Sequence, residues 1–271
     1  MPEGPELLYF ATLFKKKLKD AAIYDIKSFT DKPAILPKDY EGKILSVNCK
    51  GKLLWFRVTG KSQDYYIHIH YGISGWLTFD LPEKNIKFEF NIRKKDKEVT
   101  MYMEDQRRFS KVKIYNLKEH DKIIGELGID IFTPEFTEEK FKDTIKNKNM
   151  ILAAFLLNQH IFCGIGNYIK NESIYMTNLR VKIKTSDLTD EQISKLYKNI
   201  LFVSYSTLIE MLRDSKAEKY LDPIKKMNEP KKLEIPYVYK IYSRDKTSNG
   251  DIVFKIKVAG RDSYCIKELC N

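Results

Sequence analysis

The chain has 271 residues, of which 43% are hydrophobic, a length that suggests two domains or one large one with enough apolar content for real cores. A formal net charge of +11 points to an acidic partner, nucleic acid first, because neutralising phosphates takes clustered Lys and Arg. The apolar runs are too short to span a membrane, the start lacks a signal-peptide pattern, and four scattered cysteines (Cys49, Cys163, Cys265, Cys270) fit a reducing compartment. An intracellular, soluble protein with no membrane partner is expected.

The chain opens Met1-Pro2-Glu3-Gly4-Pro5-Glu6. Removal of Met1 ahead of the small penultimate residue exposes the secondary amine of Pro2. An α-amino group titrates near 7.7–8.0, so part of it is unprotonated at neutral pH and can attack an electrophilic carbon to form an iminium. Glu3 stands beside it as a proton shuttle. The plainer reading is a Pro at a helix start. Leu7, Phe10, Phe14 and Leu18 recur at helical spacing and predict an amphipathic helix from residue 5 to about 19.

Short aromatic or β-branched runs follow at 44–49, 53–58, 65–70, 76–79, 88–92, 99–103 and 112–115, a pattern that predicts a β-sandwich or barrel. Near residue 120 the period changes. Helices are expected at about 119–127, 137–147, 150–158, 167–177 and 190–213, the last opened by a Thr189/Gln192 capping box. A Pro- and Lys-containing connector runs from 222 to 236. The end reads as a hairpin with arms 237–242 and 252–258 around Ser248-Asn249-Gly250.

Several short stretches carry chemistry. Lys50-Gly51-Lys52 sits between two strands, where a Lys can hold a phosphate or merely line a basic turn. His68 and His70 alternate on one strand and share a face; with no third ligand nearby, a structural or phosphate-contacting role outweighs a metal site. Tyr71-Gly72-Ile73-Ser74-Gly75 presents an apolar tip. Gln106-Arg107-Arg108-Phe109 sets a cation beside an aromatic ring, as a wedge that unstacks a duplex requires. Cys163-Gly164-Ile165-Gly166-Asn167-Tyr168 joins two helices, and the amides of the second attract a phosphate. Gly260-Arg261 suits a phosphate clamp at a β-ribbon tip.

These elements, in this order, resemble the Fpg/Nei family of DNA glycosylases, and more closely its Nei-like branch, over nearly the whole chain. The start resembles the Nei-type terminus. Lys52 falls at the family's catalytic-domain lysine. His70-Tyr71-Gly72-Ile73-Ser74-Gly75 resembles its His-Leu-Gly-Met-Ser-Gly loop, and Asp105-Gln106-Arg107-Arg108-Phe109 its Asp-Pro-Arg-Arg-Phe segment. Gly164-Ile165-Gly166-Asn167-Tyr168, with Glu172 following, resembles the helix–two-turns–helix signature. The chain departs from the family's four-cysteine zinc finger: 242–255 holds no Cys, and Cys265 and Cys270 are spaced Cys-x4-Cys. Two thiols cannot close a tetrahedral site, so a zincless finger is expected, as in some viral Nei-like members. The Gly/Thr-rich stretch of the Fpg capping loop is not recognisable between 214 and 236.

The resemblance implies an α+β protein. An N-terminal helix plus β-sandwich forms the catalytic domain (1–120). A helix–two-turns–helix domain (121–225) and a β-hairpin zincless finger (226–271) follow. It implies a glycosylase and abasic-site lyase acting on damaged DNA without metal or other cofactor; a monomer is the default expectation, and the cysteine pattern places it in cytoplasm, nucleus or an infected cell. Pro2, Glu3 and Lys52 are then catalytic. His70, Asn167 and Arg261 bind DNA, with Lys52 also on a phosphate, and Ile73, Arg107 and Phe109 fill the void. Glu6 and Glu172 are structural near the site. Oxidised pyrimidines and hydantoins are the implied lesions. The rival readings are a non-catalytic DNA-binding protein of the same fold and an N-terminal-proline tautomerase. The basic charge and Asn167 speak against the second.

Overall fold

The computed structural model describes residues 2–30, 34–214 and 236–271, in two compact units, Met1–Glu126 and Leu127–Asn271. The connector expected at 222–236 and the stretch compared with the Fpg capping loop lie almost wholly outside the described residues.

The first unit opens with helix α1 (Gly4–Lys17), which has Pro5 and Glu6 in its first turn and Lys15, Lys16 and Lys17 in its last, so that the charges match the helix dipole at both ends. Leu7, Phe10 and Phe14 are almost fully buried on its inner face, as the spacing predicts. Eight strands follow: β1 (Ala21–Ser28), β2 (Tyr40–Lys50), β3 (Leu53–Gly60), β4 (Tyr65–His70), β5 (Gly75–Thr78), β6 (Ile86–Lys94), β7 (Lys97–Asp105) and β8 (Lys111–Tyr115). Their order is β5-β7-β6-β1-β2-β3-β4-β8, with every pairing antiparallel. The sandwich core takes α1 together with residues of both halves of this sheet, among them Ile23, Phe56, Ile67, Phe90 and Met101. Each such side chain removed from water contributes about 1.5–3 kcal/mol. Strand β1 is absent from the sequence reading. A register shift between Ile23 and Asp25 breaks its alternation, and this bulge hides the period-2 signal. Helix α2 (Leu117–Glu126) closes the unit.

The second unit contains β9 (Ile129–Asp130), α3 (Glu138–Lys146), α4 (Leu152–Leu157), β10 (Phe162–Cys163), α5 (Asn167–Met176), α6 (Asp190–Asp214), β11 (Phe254–Val258) and β12 (Arg261–Cys265). The Thr189/Gln192 capping box forms in both directions, at 3.0 and 3.2 Å. Strands β9 and β10 make a two-residue parallel pair too short to read from sequence.

The terminal hairpin corrects the sequence reading. Its arms are β11 and β12, joined through Ala259 and Gly260, both at positive φ as a two-residue hairpin turn demands. Residues 237–242 form no strand, because the amides of Lys240, Ile241 and Tyr242 are taken by a carboxylate described below and that of Tyr237 by Glu210. The Ser248-Asn249-Gly250 turn exists but is closed locally by Thr247, whose hydroxyl accepts from the Asn249 and Asp251 amides. Cys265 and Cys270, read from sequence as separate thiols, are joined as a disulfide. Among the described residues no helix is long and apolar enough to cross a membrane.

Candidate active site

In the first unit, Pro2 lies in the wall of a cavity of about 400 Å³, together with Lys52, His70 and Phe109. Lys111, Lys113 and Tyr115 extend that wall along β8, and Tyr71 and Gly72 also line it. The terminus is anchored because the backbone N–H of Glu3 donates to the Glu6 carboxylate at 2.8 Å, and Glu3 is only 1% exposed. This fastening makes Glu6 a positioning group, one turn into the helix, where a carboxylate is also favoured by the dipole. Lys52 enters the cavity from the two-residue turn between β2 and β3. Gly51, at φ 56°, allows that turn.

The cavity is strongly cationic. His70 pairs across strands with Lys111, and His68 with Lys113. Desolvation, then the charges of Lys111 and Lys113, lowers the His70 pKa. The next inward histidine on the same face behaves differently. His68 is fully buried, its Nε2 lies 2.8 Å from Nδ1 of His120, and its own Nδ1 has no partner. Tyr66 stacks on the His120 ring at 3.9 Å and Tyr115 meets His68 edge-on. Burial, followed by the neighbouring His120 and His70, holds the His68 pKa down to about 3, so this pair is a neutral structural element. Of the two histidines, only His70 lines the cavity.

The two predicted wedge loops are packed together. Gly72 sits at φ 64°, and a Cβ there would lie 2.7 Å from the backbone of Phe109, so only glycine fits. The buried Asp105 carboxylate accepts from the Ser74 hydroxyl at 2.5 Å and from the amides of Arg107 and Ser110 at 3.2 and 2.6 Å. Burial pushes its pKa up. The hydrogen bonds from Ser74 and Ser110, with the charge of Lys87, more than offset this and leave it below the usual value. Lys87 donates to the carbonyls of Arg108 and Ser110. On this frame Phe109 remains 56% exposed, Ile73 is half-buried and Arg107 is exposed. An exposed ring held on a rigid loop is arranged for contact with something else.

In the second unit, Gly166 caps helix α5, so Asn167 is its first residue and its side chain is not used as the cap. Gln159 shapes the preceding loop by donating to the Ile165 carbonyl and accepting from the Gly164 amide. Asn167 Oδ1 accepts from Lys170 Nζ at 2.9 Å. Arg261 is exposed at the tip of the β11–β12 hairpin. Glu172, fully buried, accepts from the amides of Lys240, Ile241 and Tyr242 at 2.8, 2.9 and 2.7 Å and from the Tyr237 hydroxyl at 2.6 Å. That carboxylate is the partner that keeps 237–242 out of a sheet. Asn171 bonds the Asp262 carbonyl and the Tyr264 amide. A zinc finger needs four ligands, whereas the two cysteines of this segment are bonded to each other.

Sequence reasoning missed Lys111, Lys113 and Tyr115, although their period-2 spacing beside His68 and His70 was available as a signal. It also missed Asp105 as an anchor, and Lys170. A lysine inside a helix reads as solvated, and only its complete burial reveals otherwise.

Residues 1–112 match the model of the formamidopyrimidine-DNA glycosylase N-terminal domain, and residues 127–214 match that of the formamidopyrimidine-DNA glycosylase H2TH domain. The formamidopyrimidine-DNA glycosylase of Rickettsia africae is 25% identical over 292 aligned positions covering 98% of both chains, and that of Protochlamydia amoebophila 26% identical over 215, covering 75% of both. In fold, the chain is similar to the Lactococcus lactis enzyme bound non-covalently to DNA containing an AP site. The TM-score is 0.75, with 18% identity and 99% of each chain covered. The Thermus thermophilus MutM (Fpg) protein also gives a TM-score of 0.75, with 21% identity, over 99% of this chain and 98% of that one. With both family domains matched in order across most of its length, the chain belongs to the Fpg/Nei family of DNA glycosylases, the enzymes that begin base excision repair of damaged bases.

Proposed function

We propose that this protein is a monomeric, intracellular bifunctional DNA glycosylase and abasic-site lyase of the Nei-like branch, working through an iminium on Pro2. The observation that carries the reading is Pro2, fastened through the Glu3–Glu6 contact, in the wall of a cavity lined by Lys52, His70, Lys111 and Lys113. The cations of that wall attract a phosphate backbone to the amine that removal of Met1 exposes.

The chemistry follows from that placement. Flipping a damaged base costs a few kcal/mol, and Ile73, Arg107 and Phe109 fill the gap it leaves. The Pro2 nitrogen attacks C1′, the glycosidic C–N bond breaks and the base leaves with its bonding electrons and a proton. Glu3 protonates the ring oxygen as the C1′–O bond opens, giving the iminium. Glu3 as carboxylate then accepts the acidified C2′ proton, and the 3′-phosphate leaves by β-elimination. Loss of the C4′ proton then drives a second elimination that releases the 5′-phosphate, and water hydrolyses the remaining iminium to regenerate Pro2. Lys52, His70, Asn167 and Arg261 grip phosphates. With two cysteines in this segment where a tetrahedral site needs four ligands, the β11–β12 hairpin serves as a zincless finger. Oxidised pyrimidines and hydantoins are the favoured lesions.

Borohydride trapping tests this. After mass spectrometry establishes that Met1 is removed, the protein is mixed with oligonucleotides carrying an abasic site, thymine glycol or 8-oxoguanine, beside a Pro2→Gly control. A covalent adduct at Pro2, strongest on thymine glycol among the base lesions, is expected. Absence of any adduct while DNA still binds replaces this reading with that of a non-catalytic DNA-binding protein.

A further inference from the structure

Lys170 is the least expected buried residue in the chain. It lies in the first turn of α5 and is 0% exposed. Its Nζ donates to Asn167 Oδ1 at 2.9 Å, to the Asp262 carbonyl at 3.2 Å and to the Ser263 hydroxyl at 3.0 Å. An ammonium withdrawn from water is costly unless its donors are met, so such a group persists where its contacts fix a geometry. No substrate can reach it, which excludes it as a nucleophile. Its partners lie on either side of the candidate phosphate grip: Asn167 is one proposed contact, and Asp262 and Ser263 follow directly after Arg261, the other.

We propose that Lys170 is a positioning residue for phosphate recognition, its buried ammonium holding Asn167 and the β11–β12 tip that carries Arg261 in one rigid grip. This rests on the reading of Asn167 and Arg261 as phosphate contacts. A cation on Oδ1 fixes which way round the Asn167 amide sits and leaves Nδ2, the donor, for an anion. The same ammonium binds the backbone and hydroxyl of 262–263, so the arginine is presented from a strand tied to the helix, not from a loose hairpin. A two-stranded hairpin alone is marginal in water, and the tie supplies what a metal supplies in a four-cysteine finger.

The test is equilibrium binding of the full chain to a duplex containing a tetrahydrofuran abasic analogue, across a salt series, for wild type, Lys170→Met, Arg261→Ala, Asn167→Ala/Arg261→Ala and the variant combining all three. Lys170→Met keeps the apolar stem and removes the charge. It is expected to weaken binding about tenfold, the size of one lost charge-assisted contact, and to lower the salt slope by about 0.9 as Arg261→Ala does. In a background carrying both Asn167→Ala and Arg261→Ala it should add less than about twofold, because both contacts it positions are already gone. A purely structural lysine would instead give losses that multiply, and that result overturns the proposal. So does Lys170→Met binding with wild-type affinity and slope while Arg261→Ala is weakened. If Arg261→Ala itself changes nothing, the phosphate reading of Arg261 falls, and the positioning role falls with it. Should Lys170→Met not fold, Ser263→Ala decides the matter: about threefold weaker binding that vanishes in the Arg261→Ala background supports the proposal, and unchanged binding overturns it.

Discussion

The Ser74 hydroxyl donates to the Asp105 carboxylate at 2.5 Å, and this contact ties the loop bearing Ile73 to the loop bearing Arg107 and Phe109. The two loops are 31 residues apart in sequence, yet the carboxylate also receives the Arg107 and Ser110 amides. Asp105→Ala leaves those donors without their acceptor in a buried place and removes the negative charge that Lys87 feels. It is expected to destabilise the protein by about 3 kcal/mol. Urea denaturation measures this, and a loss below about 1 kcal/mol would show that the network does not hold the loops.

Phe109 makes the opposite prediction. Its ring is 56% exposed, so Phe109→Ala should leave stability within about 0.5 kcal/mol of wild type. If the ring fills the gap left by a flipped base, single-turnover excision from duplex DNA should fall by about tenfold or more, since unstacking is worth a few kcal/mol. Cleavage of a preformed abasic site in single-stranded DNA should be nearly unchanged. Equal losses on both substrates would remove the wedge role.

The buried His68–His120 pair sets an acid limit on the fold. His68 is held near pKa 3 when folded, against 6.5 for an ordinary imidazole, so the unfolded chain takes up the proton first. Its contribution is fully present above about pH 6.5 and is lost as the pH falls toward 3. Between pH 7 and pH 5 the loss is about 2 kcal/mol. Asp105 adds its own loss only below its unfolded value of 3.8, outside this interval. Denaturation at the two pH values should show the drop, and His68→Leu should remove most of it. A pH-independent midpoint in the wild type excludes a buried neutral pair.

His70 reports on the cationic wall. Desolvation and the charges of Lys111 and Lys113 keep its pKa below 6.5. Replacing both lysines by Met should raise it, as followed by the imidazole proton resonances, and lower the salt slope of DNA binding by about 1–2. An unmoved His70 would place the two ammonium groups too far away to matter.

Glu172 gathers four donors from the 237–242 segment. Glu172→Gln sets an amide N–H₂ against amides that need an acceptor. About 3 kcal/mol of local stability should be lost there, read as faster hydrogen exchange at Lys240, Ile241 and Tyr242 with less change in α6. Unchanged exchange at those amides would mean that another group holds the segment.

Much of this molecule is legible from sequence because its signals are local. The spacing of Leu7, Phe10 and Phe14 specifies a helix face, and alternation specifies most strands of the sandwich. The Gly-x-Gly-Asn step specifies the entry to α5. Pro2, Lys52, His70 and Phe109 were all singled out by residue type and loop position, and they share one cavity wall. What sequence alone does not determine is anything decided by a distant partner. Tyr237–Tyr242 has strand composition, but its amides bond a carboxylate 68 to 70 residues away. The bulge in β1 breaks the period that would reveal the strand. Lys170 has the composition of a surface residue, and its burial becomes affordable only when Asn167, Asp262 and Ser263 converge on it. Periodicity reports which face a residue occupies. The free energy of a buried charge depends on acceptors brought together by the tertiary fold, and no local pattern encodes them.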